Sequence, residues 1–320
     1  MIMNSKLESY SPVTVIGAGA IGASWTALFL ANGLEVRVND ISETLEEDVT
    51  KQLEQIKPTL KDLGYEVENL TQNLTFEKDL KKAVTGAKII QENGPENVEF
   101  KQNLYAELED YISEDAIVLS SSSSIPTSTI IEKMKDSSRV CIGHPFNPPH
   151  LIPLVEVSYG SNTDENVIEE VMDFYTQLGK KPVKIKKEVV GFVANRLQSA
   201  LFQECIHLVL NDVVDPKDVD TIMEQSLGIR WASDGPFLSF LLGGGKHGFE
   251  GFMNHLGKQI PYIWKDLGHP ELNEENTQKL IERVNEKYGS RNIDELEQER
   301  DAKEINVIRN LAEIRGEDSE

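Results

Sequence analysis

Four polar residues have side chains suited to moving a proton, and each lies beside a short apolar run: Ser123, His144, Glu156 and Asn195. An imidazole titrates near neutral pH, so His144 is suited to accept the proton of a hydroxyl group. A carboxylate bonded to the second ring nitrogen would fix the tautomer and stabilise the imidazolium, which is the role predicted for Glu156. Ser123 and Asn195 are predicted to hold the reacting oxygen.

Each of these residues also has an ordinary structural interpretation. His144 could be a hydrogen-bonded histidine at a strand end, and Glu156 a surface carboxylate. Ser123 could be a turn serine and Asn195 a residue at a helix start. Only their combination and order in one chain favour a catalytic site.

A glycine-rich motif near the amino terminus predicts a dinucleotide site. It follows an apolar run at residues 13–16 and opens a segment of helical composition. The first glycine of such a motif allows a tight turn, the second lets the backbone approach a pyrophosphate, and the third allows close packing of helix on strand. The alternative is that the glycines make only a tight turn. The predicted cofactor residues of the motif are Gly17, Gly19, Ala20, Ile21 and Gly22.

The residue that ends the next predicted strand bears on the choice of cofactor. Asp40 can accept hydrogen bonds from the hydroxyls of the adenosine ribose, and its charge would repel a 2′-phosphate. NAD is therefore favoured over NADP, although Arg37 on the same strand could serve a 2′-phosphate. A nicotinamide would accept a hydride while His144 accepts a proton, so the two motifs together predict oxidation of a secondary alcohol.

The pattern of apolar runs indicates an α/β fold. Short β-branched runs alternate with helical segments up to about residue 188, which is typical of a doubly wound, mostly parallel sheet. From residue 189 onward the periodicity is helical. We therefore predict a Rossmann NAD-binding domain at residues 1–188 and an all-α domain for substrate binding and dimerisation at residues 189–320. The predicted strands cover residues 13–16, 34–39, 73–76, 88–91, 116–119, 140–143 and 182–185, and the predicted helices include residues 20–31, 42–63 with Ser42 as N-cap, 98–112, 192–210, 217–227 and 278–288.

The composition argues against several classes of protein. A net charge of −22 over 320 residues repels phosphate backbones and anionic lipids, so neither nucleic-acid nor membrane binding is expected. The two cysteines, Cys141 and Cys205, are too few for a disulfide framework and are expected to be reduced. No stretch is as apolar and long as a signal sequence or a membrane span, so a cytoplasmic location is expected. No metal site is predicted.

The motifs together resemble those of the 3-hydroxyacyl-CoA dehydrogenase family, in the expected order over nearly the whole chain. The matching segments are Val-Ile-Gly-Ala-Gly-Ala-Ile-Gly at residues 15–22, the serine run at 120–124, His-Pro-Phe-Asn-Pro at 144–148, Leu-Val-Glu at 154–156 and Gly-Phe-Val-Ala-Asn-Arg at 191–196. The resemblance implies that Ser123, His144, Glu156 and Asn195 are the catalytic residues. It also implies that Glu96 and Lys101 contact the cofactor, with a surface ion pair as the alternative, and that the helical domain forms a homodimer.

The sequence departs from the acyl-CoA enzymes where those bind the CoA arm. The segment at residues 42–50 is acidic where they carry lysines and a serine, and Ser121 stands where they usually have asparagine. In these features the chain is more similar to the branch that contains lambda-crystallin (L-gulonate 3-dehydrogenase) and L-carnitine dehydrogenase.

Two residues of the carboxyl-terminal half bear on the substrate. Arg230 could bind a free carboxylate through two hydrogen bonds, and Trp231 could face a quaternary ammonium. Alternatively, Arg230 caps a helix and Trp231 fills a core. We therefore favour a free 3-hydroxy acid of the carnitine or gulonate type over a short-chain CoA thioester. A crystallin-like or NAD-sensing protein without turnover is the third interpretation.

Overall fold

The computed structural model describes residues 5–316 of the chain. It divides into two compact units, Met1–Asn195 and Arg196–Glu320. Residues 1–4 and 317–320, the outer ends of the two predicted domains, lie outside the described residues. The predicted boundary at residue 188 lies a short way before the observed division, after the last strand. The roles assigned to the two predicted domains stay predictions.

An eight-stranded sheet forms the centre of the first unit, in the order β3-β2-β1-β4-β5-β6-β7-β8. The first six strands are parallel to their neighbours, β7 is antiparallel to β6, and β8 is parallel to β7. The order of the first six confirms the predicted Rossmann topology. The strands are β1 (Val13–Ile16), β2 (Val36–Asn39), β3 (Leu74–Phe76), β4 (Ile89–Glu92), β5 (Ile117–Ser120), β6 (Val140–Pro145), β7 (Leu154–Tyr159) and β8 (Lys181–Lys184).

Two hydrophobic clusters cover this sheet, because successive side chains of a strand point to opposite faces. On β4, Ile89 belongs to one cluster and Ile90 to the other, and on β6 Cys141 and Ile142 are divided in the same way. This two-sided burial explains why the central strands β1, β5 and β6 are mostly apolar. The helices of the first unit are α1 (Ser5–Glu8), α2 (Ala20–Ala31), α3 (Leu45–Asp62), α4 (Leu80–Val84), α5 (Val98–Leu108), α6 (Thr127–Ile130) and α7 (Glu165–Gln177).

Strand β7 is missing from the sequence prediction. It places Glu156 and Ser158, which are 2% and 0% exposed, inside a buried strand. The other strands are recognised by their runs of apolar residues. The two buried polar residues interrupt such a run in β7, so the sequence does not predict this strand. The antiparallel step from β6 to β7 is therefore seen only in the structure.

Two helices begin later than predicted. Helix α3 begins at Leu45 rather than at residue 42, because Ser42 belongs to a turn in which its N–H donates to Asp40 Oδ1 (3.0 Å). Ser42 is therefore not the N-cap. The helix predicted from residue 192 begins at Ala194, because Gly191 and Phe192 have left-handed φ angles of 74° and 47°.

The second unit is helical throughout its described residues, as predicted. Its predicted helix at 217–227 ends as an α-helix at Met223 and continues as a π-turn over Glu224–Gly228. None of the described helices of the chain is both long and apolar enough to cross a bilayer. The helices from the division onward are α8 (Ala194–Leu210), α9 (Pro216–Met223), α10 (Ile229–Ser233), α11 (Gly235–Gly243), α12 (Gly248–Asn254), α13 (Ile260–Trp264), α14 (Glu274–Tyr288) and α15 (Ile293–Arg315).

Candidate active site

A histidine and a glutamate face each other at the carboxyl edge of the parallel strands. His144 on β6 is directly opposite Glu156 on β7 in the antiparallel register. His144 Nδ1 lies 3.0 Å from Glu156 Oε2, and the two residues are 4% and 2% exposed. The pair therefore forms by local strand pairing and is shielded from water.

Glu156 is held in its ionised form. Its Oε1 accepts hydrogen bonds from the backbone N–H groups of Val193 (2.9 Å) and Ala194 (3.1 Å). Burial raises the pKa of Glu156, but the hydrogen bonds from His144 and these two N–H groups outweigh it and the pKa is lowered. An ionised carboxylate can only accept hydrogen bonds, so we assign the donor role to His144 Nδ1. Nε2 is then the ring nitrogen able to accept a proton.

Two aromatic rings fix the orientation of the imidazole. The ring centroids of Phe146 and Phe192 lie 5.6 and 5.3 Å from that of His144. Phe192 is completely buried despite its left-handed backbone. The turn at residues 191–192 therefore places a ring against His144 and two N–H donors against Glu156.

A serine turn after β5 is held by a single carboxylate oxygen. Glu96 Oε1 accepts hydrogen bonds from Ser122 Oγ (2.8 Å), Ser123 N–H (3.0 Å), Ser124 N–H (2.8 Å) and Ser124 Oγ (2.9 Å). Burial raises the pKa of Glu96, yet the bonds from Ser122 and Ser124 and the charge of Lys101 lower it overall. Glu96 therefore fixes the turn that carries Ser123.

Ser123 is also connected to Asn195. Asn195 Nδ2 donates to the carbonyl oxygen of Ser123 (3.1 Å). The structure thus brings together the predicted residues in two groups within the first unit: His144 with Glu156, and Ser123 with Asn195 and Glu96. Their catalytic roles stay predictions.

Lys101 is buried rather than part of a surface ion pair. It is 1% exposed, and its Nζ donates to both carboxylate oxygens of Glu92 at 2.8 Å, with Glu96 Oε2 at 3.8 Å. Glu92 is absent from the sequence analysis, although a charged residue at the end of the apolar run Ile-Ile-Gln-Glu is a usable signal. Glu92 also accepts from Ser120 Oγ (2.7 Å). Lys101 is thus engaged by protein atoms, which supports an indirect part in organising the cofactor site.

Ser121 lies at the centre of a separate polar network. Its Oγ accepts from Trp25 Nε1 (3.0 Å) and Gln91 Nε2 (2.9 Å) and donates to Asn93 Oδ1 (2.7 Å). Asn93 in turn donates from Nδ2 to the carbonyl oxygen of Ile16 (3.2 Å). Ser121 therefore links the serine turn to the end of β1.

The glycine turn has the shape that a dinucleotide requires. A Cβ on Gly22 would lie 1.8 Å from the carbonyl oxygen of Gly17, and Gly17 itself has a φ of +87°. A Cβ on Gly19 would meet nothing within 4 Å, so this side of the turn is open to a ligand. No side chain caps the start of α2, which leaves its first N–H groups available for phosphate oxygens. Asp40 Oδ2 accepts from Ala18 N–H (2.8 Å) and is held against the turn. These residues fit NAD.

Arg230 and Trp231 lie on α10 in the second unit. Trp231 is 37% exposed, so it does not fill a core there. The carbonyl oxygen of Arg230 accepts from Asp234 N–H (3.0 Å). Their contact with substrate stays a prediction. Across the described residues, no group of His, Cys, Asp and Glu side chains could hold a metal ion.

Family models match both parts of the chain. Residues 12–189 match the NAD-binding domain of 3-hydroxyacyl-CoA dehydrogenase, and residues 191–295 match the carboxyl-terminal domain of the same family. The chain belongs to the 3-hydroxyacyl-CoA dehydrogenase family. The resemblance of the motifs is thereby confirmed, and NAD is the cofactor that goes with this family and with the glycine turn.

Relatives within and beyond this family differ in what they act on. A 3-hydroxyacyl-CoA dehydrogenase of Gibberella moniliformis is 40% identical, over 90% of this chain and 91% of its own. An L-carnitine dehydrogenase of Streptomyces coelicolor is 36% identical over 94% and 95%. Among solved structures, a 5-formyl-3-hydroxy-2-methylpyridine 4-carboxylic acid 5-dehydrogenase, an NAD⁺-dependent dismutase, superposes with a TM-score of 0.79 at 27% identity, over 93% of this chain and 97% of that one. The names of these three proteins give three different substrates.

The lowered pKa of Glu156 gives stability a pH dependence. Its carboxylate stabilises the folded protein above the ordinary pKa range of a glutamate, and this contribution disappears as the pH falls through the lowered folded-state pKa. Glu156→Gln should cost about 1–3 kcal/mol at neutral pH and much less in acid. The measurement is urea unfolding at several pH values, with Glu165→Gln at the exposed start of α7 as control. Parallel curves for wild type and Glu156→Gln would contradict this reading.

Asp40→Asn tests the cofactor preference. Asparagine keeps an acceptor for Ala18 N–H but loses the charge that opposes a 2′-phosphate. We expect the dissociation constant for NADH to rise and that for NADPH to fall, with the ratio changing by about tenfold or more, equivalent to about 1.4 kcal/mol. Titration of NADH and NADPH fluorescence measures both constants. The control is Asp62→Asn, which removes the same charge at the far end of α3, and an unchanged ratio for Asp40→Asn would argue against the assigned role.

Proposed function

We propose that this protein oxidises the 3-hydroxyl group of a small 3-hydroxy acid to a 3-keto product, with His144 as the base. The observation that carries the proposal is the buried hydrogen bond between His144 Nδ1 and the ionised Glu156. It leaves Nε2 free to take the hydroxyl proton and provides a negative charge to stabilise the resulting imidazolium. The carbon–oxygen single bond becomes a carbonyl as carbon 3 loses a hydride. NAD, held by the glycine turn and Asp40, supplies the acceptor for that hydride.

Ser123 and Asn195 are proposed to hold the reacting oxygen. The bond from Asn195 to the Ser123 carbonyl and the four bonds to Glu96 Oε1 support this role, because they fix the position of the serine turn. Hydrogen-bond donors that are already in position need not rearrange when negative charge develops on the reacting oxygen.

The proposed substrate is a free acid of the carnitine or gulonate type. Helix α3 begins with Glu46, Glu47 and Asp48, a cluster of negative charge that disfavours the phosphates of a CoA arm. Arg230 offers a guanidinium for a carboxylate, and Trp231 an exposed aromatic face for a quaternary ammonium. The L-carnitine dehydrogenase relatives support this choice. The Gibberella moniliformis relative supports the alternative, a short-chain CoA thioester.

We also infer a homodimer formed through the helical unit and a cytoplasmic, reducing location. Large apolar side chains such as Phe237, Tyr262 and Trp264 are 78%, 76% and 66% exposed, which supports burial against a second copy. Cys141 and Cys205 are both unpaired. Burial raises the pKa of Cys141 to about 12, so this thiol is inert.

His144→Gln tests the base. We expect kcat to fall about 10²- to 10⁴-fold, because glutamine can occupy the space but cannot accept the proton. Binding of NADH, measured by fluorescence titration, should stay close to wild type. His255→Gln, at an exposed histidine of the second unit, is the control. NAD binding without turnover of any 3-hydroxy substrate in the wild type, and no effect of His144→Gln, would instead support a crystallin-like or sensing role.

A panel of three substrates tests whether the protein acts on a free acid. Steady-state NADH formation is compared for L-carnitine, L-gulonate and 3-hydroxybutyryl-CoA. Arg230→Met should raise KM for both free acids about 10- to 100-fold, the worth of a hydrogen bond to a charged group. Trp231→Leu should raise KM for carnitine several-fold but leave KM for gulonate unchanged. Turnover of the thioester alone would refute the free-acid proposal and leave the dehydrogenase assignment intact.

A further inference from the structure

The loop at residues 146–153 joins the two strands that carry the histidine and the glutamate. It leaves β6 directly after His144 and Pro145 and enters β7 two residues before Glu156. His144 and Glu156 are opposite each other in the β6–β7 register, and this loop connects the two paired strand ends. What holds the loop therefore bears on the geometry of the pair.

Lys180 reaches this loop from the turn between α7 and β8. The residue is 4% exposed, and its Nζ donates to the carbonyl oxygens of Pro149 and Ile152. Nζ also lies 5.7 Å from the centroid of the Trp25 ring on α2. Burial lowers the pKa of Lys180 to about 7, because the charged form of the amine is costly to remove from water. The contacts with two carbonyls and an aromatic face offset that cost and fix the loop.

A second contact ties the same loop to α2. The backbone N–H of His150 donates to Ser24 Oγ (2.8 Å), and His150 Nδ1 lies 2.8 Å from the same oxygen. Ser24 precedes Trp25 on the helix that opens at the glycine turn. The loop is thus anchored on one side by an amine and on the other by a hydroxyl.

We propose that Lys180 is a positioning residue for the reaction, whose contacts with the β6–β7 loop keep His144 in register with Glu156. This rests on the proposed role of His144. Replacing the amine by an apolar chain leaves the carbonyls of Pro149 and Ile152 buried without their donor, so the loop must shift. A misplacement of about 1 Å at a reacting group can reduce a rate about 10²-fold. The loss should fall on kcat, because the glycine turn and Asp40 are not altered.

The test compares Lys180→Met, Lys180→Arg and Ser24→Ala with the wild type and with Lys187→Met, which removes the same charge at an exposed site. For Lys180→Met we expect kcat to fall about 10- to 100-fold while the dissociation constant of NADH changes less than about threefold. Lys180→Arg, which keeps the charge and the donors, should recover part of the activity. Ser24→Ala should lower kcat in the same direction by a smaller factor, and Lys187→Met should match the wild type.

Several outcomes would overturn the proposal. One is a folded Lys180→Met protein with wild-type kcat. Another is an equal loss of kcat and NADH affinity with a lower Tm that arginine does not rescue, since this indicates support of the fold alone. If Lys180→Met does not fold, Ser24→Ala decides, because it removes only one hydroxyl group from the contacts of the loop, and unchanged kcat then rejects the proposal. His144→Gln is assayed in parallel: if it is inactive while both loop variants are normal, only the positioning role fails, whereas full activity of His144→Gln removes the proposed function itself.

Discussion

The hydrogen bond between His144 and Glu156 is the constraint on which the arrangement of the site depends. The bond requires the buried carboxylate of Glu156 to stay charged. Each of its two oxygens must therefore accept hydrogen bonds from protein donors. The imidazole satisfies one oxygen, and the N–H groups of Val193 and Ala194 satisfy the other. The left-handed turn at Gly191 and Phe192 directs these two N–H groups toward Glu156. A turn outside the sheet therefore completes the hydrogen bonds of a pair that lies on two of its strands.

A second set of buried charges organises the neighbouring strand ends. The Lys101–Glu92 pair is enclosed between β4 and α5, and Glu96 extends this charge system to the serine turn. Buried ion pairs contribute little net stability compared with apolar packing, but breaking one leaves an uncompensated charge. Their value here is geometric, because they hold the ends of β4 and β5 in one arrangement. The serine turn is thus held by contacts with protein atoms.

Much of the fold can be predicted from the spacing of apolar residues in the sequence. The elements that the sequence does not predict have identifiable physical causes. Strands buried on both faces are mostly apolar, so β1 and its parallel neighbours are recognisable within a residue or two. Strand β7 is not, because its charged Glu156 is stable only through partners distant in sequence. Glu92 is explained in the same way: a charged residue stands at the end of β4, but its burial depends on Lys101, and the sequence alone does not show that pairing. The identities of the candidate site residues came from motif order, whereas the hydrogen bonds of Glu96 to the serine turn could come only from coordinates.

The hydrogen bonds of Ser121 restrict which residues could replace it at this position. The hydroxyl group already uses one hydrogen and two acceptor positions on Trp25, Gln91 and Asn93. An asparagine at this position is larger and carries two polar hydrogens in place of one. It would enter a space lined by an indole and an amide that are themselves buried against the sheet. Replacing Ser121 by asparagine alone would therefore leave polar atoms of this network without partners unless neighbouring residues changed with it.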